Sequence, residues 1–119
     1  VDAWLEDHVT QEASTFERMR KRLATFCADR RSVACWGVGL EFMMLAARGA
    51  LPWSKTVALA DANMRKQEKT FRGLSIRAPE TITRGVGIIC CSYLSGGAIR
   101  AAARDLGHAE DDLFALDEY

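Results

Sequence analysis

The sequence predicts an all-α protein, a compact bundle of about five helices around one buried hydrophobic helix at about residues 33–48. Three observations carry that expectation. Residues 32–47, SVACWGVGLEFMMLAA, hold a single charge, Glu41, and place apolar or small groups all round a helical wheel. A helix with no polar face has to be surrounded by other elements. Elsewhere, apolar residues recur at three- and four-residue spacing, and the strict alternation of a half-buried strand is missing. Finally, 119 residues with 49% hydrophobic and 27% charged content can bury one core without disulfide or metal staples. One helical domain over residues 1–107 follows, with an acidic segment at 108–119 that adds a short docked helix.

The first helix places Leu5, Val9, Phe16, Met19, Leu23 and Phe26 on one face. Ser14 and Glu17 frame a capping box, so the helix should break near Ser14 and end by Arg30. The second opens near Ser32 and stops at Gly49, with Trp36, Leu40, Met43 and Met44 expected to be almost fully buried. Gly37 and Gly39 would cost about 1 kcal/mol each inside it, which implies a close neighbouring backbone or a later start. Past Pro52, Ser54 caps a third helix with Val57, Ala60, Met64 and Phe71 as its inner stripe and Gly73 at its end. Pro79 and Glu80 suit the first turn of a fourth carrying Ile82, Val86, Ile89 and Tyr93. Ser95-Gly96-Gly97 then breaks the chain before AIRAAARDL, a short helix stopped at Gly107.

Little in the composition points to catalysis. Cys27, Cys35, Cys90 and Cys91 form no C-x-x-C pair, and the two histidines, His8 and His108, stand near opposite ends. That set lacks the spacing of a structural zinc site. Buried reduced thiols, no metal, no cofactor and an intracellular setting, cytoplasmic or nuclear, are therefore expected. The longest uncharged runs, residues 32–40 and 85–99, fall short of the roughly 18 residues a spanning helix needs. Ser92 and Ser95 have no histidine nearby in the sequence and no G-x-S-x-G motif occurs. The glycine-bearing segments match neither a phosphate loop nor a dinucleotide fingerprint, and Gly85-Val86-Gly87 lacks the third glycine and a preceding strand. Glu41 reads as the partner of an arginine at the edge of the bundle. No catalytic residue is assigned and the chain reads as no enzyme. It begins at Val1 rather than methionine, which reads as a processed product or a piece of a longer chain.

Charge placement says more than the formal total of zero. Glu110, Asp111, Asp112, Asp117 and Glu118 give the final twelve residues a net charge of −5, so residues 1–107 carry +5. Arg18, Lys21 and Arg22 cluster on the first helix, while Arg65, Lys69 and Arg72 fall at i, i+4 and i+7 on the expected third. Two basic stripes on neighbouring helices would contact phosphates, and arginines outnumber lysines twelve to four.

Residues 102–107, AARDLG, followed by Leu113 and Leu116, resemble the helix, glycine turn and second helix of helix-turn-helix DNA-binding domains. The would-be recognition helix reads His108-Ala109-Glu110-Asp111-Asp112, and its carboxylates would repel DNA, so the turn is taken as structure. The same segment looks like an acidic-aromatic docking peptide with Leu113, Phe114, Leu116 and Tyr119 as anchors. The expected function is thus a non-catalytic helical protein-interaction or regulatory module, a fragment of a larger or viral-type accessory protein, with a protein partner or a second copy of itself. The alternative is a nucleic-acid-binding helical domain using Arg18, Lys21, Arg22, Arg65, Lys69 and Arg72.

Overall fold

The computed structural model describes residues 2–116, with side chains from residue 14 onward, and it overturns the all-α expectation. The chain forms an α/β protein with one six-stranded sheet. A long helix α1 (Asp2–Ala28) leads into strand β1 (Val33–Trp36), helix α2 (Leu40–Ala47) and strand β2 (Thr56–Ala60). A short hairpin of β3 (Thr70–Phe71) and β4 (Leu74–Arg77) follows, then β5 (Gly87–Cys90), helix α3 (Gly96–Asp105) and β6 (Leu113–Ala115). Across the sheet the order is β3-β4-β2-β1-β5-β6. The pairs β4·β2, β2·β1, β1·β5 and β5·β6 are parallel, and among the described residues only the β3·β4 pairing is antiparallel.

The expected central helix is therefore a strand, a glycine turn and a helix. Every residue of β1 and β5 is buried, because layers cover both faces of the sheet. A strand buried on two sides has no reason to alternate apolar with polar residues, so it reads as a continuous apolar run. Val33 and Cys35 face one layer, where Met19, Leu23 and Cys27 of α1 and Phe42, Leu45 and Ala46 of α2 join Leu59, Ile76, Ile89 and Phe114. Ala34 and Trp36 face the other, where Ala103 of α3 meets Ala60, Ile88, Cys90, Leu113 and Ala115. The result is a three-layer α/β/α sandwich.

Further corrections follow from the same change. Trp36 is buried, but Leu40 is 82% and Met43 42% exposed, because α2 has only one face against the sheet. Helix α1 runs unbroken through Ser14. The expected third helix is β2, an irregular connection and the hairpin, so Val57 lies in β2, Phe71 in β3, and Met64 on the loop between. Beta-branched Thr56 and Val57 suit a strand, and the spacing that suggested a stripe was accidental. Pro79 opens a single 3-10 turn, Pro79–Thr81, rather than a fourth helix. The alanine-rich segment does form a helix, α3, and Gly107, at φ +93, turns the chain after it. The expected docked helix is instead a 3-10 turn, Glu110–Asp112, and a strand that joins the sheet, with Ile88, Ile89 and Cys90 of β5 aligned to Leu113, Phe114 and Ala115. Arg30 at the end of α1 secures that return, its guanidinium 2.7 Å from the Asp112 carboxylate and 4.3 Å from the Phe26 ring centroid.

Candidate site at the C-terminal edge of the sheet

From β1 the chain steps one way, through α2 to β2; from β5 it steps the other way, through α3 to β6. Helices that cross in opposite directions lie on opposite faces, so their connecting loops part between β1 and β5 and leave a crevice above the strands' carboxyl ends. A crevice of about 320 Å³ lies there. Its walls are Gly37, Val38, Gly39 and Glu41 after β1, Asp61, Ala62 and Lys66 after β2, and Cys91, Ser92, Ser95 and Ile99 after β5.

Each wall is held by hydrogen bonds that extend the sheet. The Gly37 N–H donates to the Ala60 carbonyl at 2.8 Å, and the Cys91 N–H donates to that of Trp36 at 2.9 Å. Gly37 sits at φ +102, in the left-handed region that favours glycine, and a Cβ there would lie 3.5 Å from both the Cys91 carbonyl oxygen and Ile99 Cδ1. Gly39 follows in extended backbone and starts α2, whose first internal bond is Met43 N–H to the Gly39 carbonyl.

Asp61 ties the first two walls together. Its Oδ2 accepts the Val38 N–H at 2.8 Å, and its Oδ1 accepts the Asn63 N–H at 2.8 Å. Lys66 Nζ donates to the Val38 carbonyl at 2.8 Å and stands 3.6 Å from Asp61 Oδ2. The Asp61 backbone is fixed as well, its N–H donating to the Arg77 carbonyl and its own carbonyl accepting from Gln67 Nε2. On the third wall the Ser92 hydroxyl accepts the Ser95 N–H at 2.9 Å, shaping the turn into α3. Exposed apolar side chains stand near these walls in sequence: Leu40, which opens α2, and Met64, each 82% exposed, and Leu94, 96% exposed.

The thiols are quiet. Cys91 is held well above the usual thiol range by its hydrogen bond with Cys35 and by burial, and Glu41 adds to the effect. Burial pushes Cys27 up to about 11, and the nearby Cys35 adds to it against the opposing Lys55 and Arg30 charges. Such cysteines are poor nucleophiles at neutral pH. Among the described residues, no group of three or more His, Cys, Asp or Glu is placed to hold a metal ion, and no helix is long and apolar enough to cross a membrane.

The residues singled out in the sequence are not those that meet here. Leu113, Phe114 and Leu116 are buried in and beside β6, while Tyr119 lies outside the described residues. Arg18, Lys21 and Arg22 are exposed on α1. Arg65 and Lys69 sit on the β2–β3 connection and Arg72 in the hairpin turn, its guanidinium 5.4 and 5.1 Å from the Trp53 and Phe71 ring centroids. They form no helical stripe. The missed residues are Gly37, Gly39, Asp61, Lys66 and Ser92. A signal existed: Gly37-Val38-Gly39 follows a strand and opens a helix, and an acidic residue directly follows the next strand, 24 positions after Gly37. Reading residues 33–48 as one helix hid it. Compared with protein-family models, curated proteins and solved structures, the chain matches none.

Proposed function

We propose that this chain is a small-molecule-binding domain whose crevice takes a ligand containing a ribonucleoside, with Asp61 accepting hydrogen bonds from the ribose diol. The observation that carries the reading is the position of Asp61, at the carboxyl end of the strand next to β1 and bonded to the glycine turn at the edge of the crevice. Doubly wound sheets bind their ligands at such a switch point, and an acidic side chain there suits vicinal hydroxyls. The carboxylate has acceptor capacity beyond its two backbone donors, and its side chain remains 14% exposed toward the crevice. The pre-bonded loop supports binding without large reorganisation. The function is read as binding rather than catalysis.

The test is amide chemical-shift mapping with adenosine, guanosine, uridine and NAD. Shifts concentrated at residues 37–41, 61–62 and 91–95 are expected for at least one of them, and Asp61→Asn should weaken that binding by roughly tenfold or more. Absence of shifts in those loops with all four would overturn the reading. A protein-interaction module is the second reading, and its support is now the exposed Leu40, Met64 and Leu94 rather than the C-terminal anchors.

A further inference from the structure

The dinucleotide fingerprint holds a pyrophosphate on free backbone N–H groups at the first turn after β1, with a third glycine letting helix and strand close up. This chain departs from that arrangement at several points that matter for an anion. The Val38 N–H is already given to the Asp61 carboxylate. The nearest cation, Lys66, is engaged by the Val38 carbonyl and by the same carboxylate. Glu41, on the first turn of α2, brings a second carboxylate into the wall. The position of the third glycine holds Phe42, fully buried and edge-on to Phe71 with ring centroids 5.2 Å apart. With Glu41 and Asp61 negative and Lys66 positive, the ionised walls carry a net charge of −1.

We infer that the crevice selects a ribonucleoside whose 5′ substituent is neutral or cationic and rejects one carrying a 5′ phosphate. This deepens the proposed function and rests on it. At Val38 a phosphate would have to displace the Asp61 carboxylate, because the protein has placed its own anion on that N–H. A protonated or sulfonium group at the same position would meet Glu41 as a counter-charge. The base would lie against the apolar part of the wall. Val38 and Ile99 line the crevice, and a flat heteroaromatic ring covers such apolar surface well.

The experiment compares adenosine, 5′-amino-5′-deoxyadenosine and adenosine 5′-monophosphate by titration and shift mapping on the whole chain. Adenosine and the amine should shift the crevice amides, with the monophosphate bound about tenfold or more weakly, and the gap should shrink at high salt as screening grows. Glu41→Gln should narrow the preference for the amine over the monophosphate, read as the ratio of their two affinities. Salt dependence on the unmodified chain carries the test if that variant does not fold. A monophosphate that binds as tightly as adenosine in the same loops overturns the charge selection and leaves the proposed function standing. No crevice shift with any of the three compounds, nor with guanosine, uridine or NAD, overturns both.

Discussion

The two crossings that flank the crevice are built differently. In the first, from β1 through α2 to β2, large side chains fill the layer: Phe42 and Leu45 of α2 are fully buried beside Met19 and Leu23 of α1. In the second, from β5 through α3 to β6, the helix presents Ala103 with the partly buried Ala102 and Ile99 to Trp36, Ile88 and Leu113 of the sheet, so the small residues stand mainly on the helix side. Polar contacts divide the same way. The first crossing ends in the Asp61, Val38 and Lys66 cluster at the crevice, whereas the second is tied by Arg100 and Arg104 to Glu110 at its far end. One side of the site is thus held by bulk and a specific polar staple, and the other by a helix that presents small residues to the sheet.

That contrast makes opposite substitutions harmful on the two sides. Phe42→Ala removes a fully buried ring from the first crossing, and it should cost about 3–5 kcal/mol, read as a large fall in the denaturant midpoint. Ala103→Leu inserts bulk where the second crossing has no room, and it should cost about 1–3 kcal/mol. If Ala103→Leu is tolerated at under about 0.5 kcal/mol, the second helix is loosely packed and the comparison breaks.

The same contrast explains what the sequence revealed. Helix α3 was legible because its alanines suit a helix and glycines stand at both of its ends. Helix α1 was legible through the spacing of Met19, Leu23 and Phe26, although the expected break at Ser14 did not form. The strands were not legible. Val33–Trp36 and Gly87–Cys90 are each buried on two faces, which erases the alternation by which a strand shows itself. Losing β1 also cost the site, since Gly37-Val38-Gly39 means a ligand turn only when a strand precedes it. Asp61 looked like one carboxylate among many; its meaning depends on the strand pairing that brings it opposite Val38.

The glycines at the two turns separate the sides further. Gly37→Ala forces a Cβ into the left-handed region and should cost about 1–2 kcal/mol by thermal or chemical denaturation. It should also weaken nucleoside binding more than the stability loss explains, because the turn carries Val38 to Asp61. A variant as stable as the parent would show that the turn relaxes freely, and the pre-bonded loop would lose its role.

Gly97 offers the smallest and most discriminating test. It lies in the first turn of α3 with no positive φ, and a Cβ built on it meets nothing within 4 Å. Gly97→Ala should therefore stabilise the domain by about 0.4–1 kcal/mol, since alanine narrows the unfolded ensemble and suits the helix. Its effect on binding then says how far the ligand reaches. Unchanged adenosine affinity places the ligand on the first crossing, over Asp61 and the glycine turn. A loss of tenfold or more in a variant that is more stable than the parent cannot come from damage to the fold. It would mean that the open space above Gly97 is where the ligand passes, and that the small-residue side of the crevice is kept small for the ligand as well as for the helix.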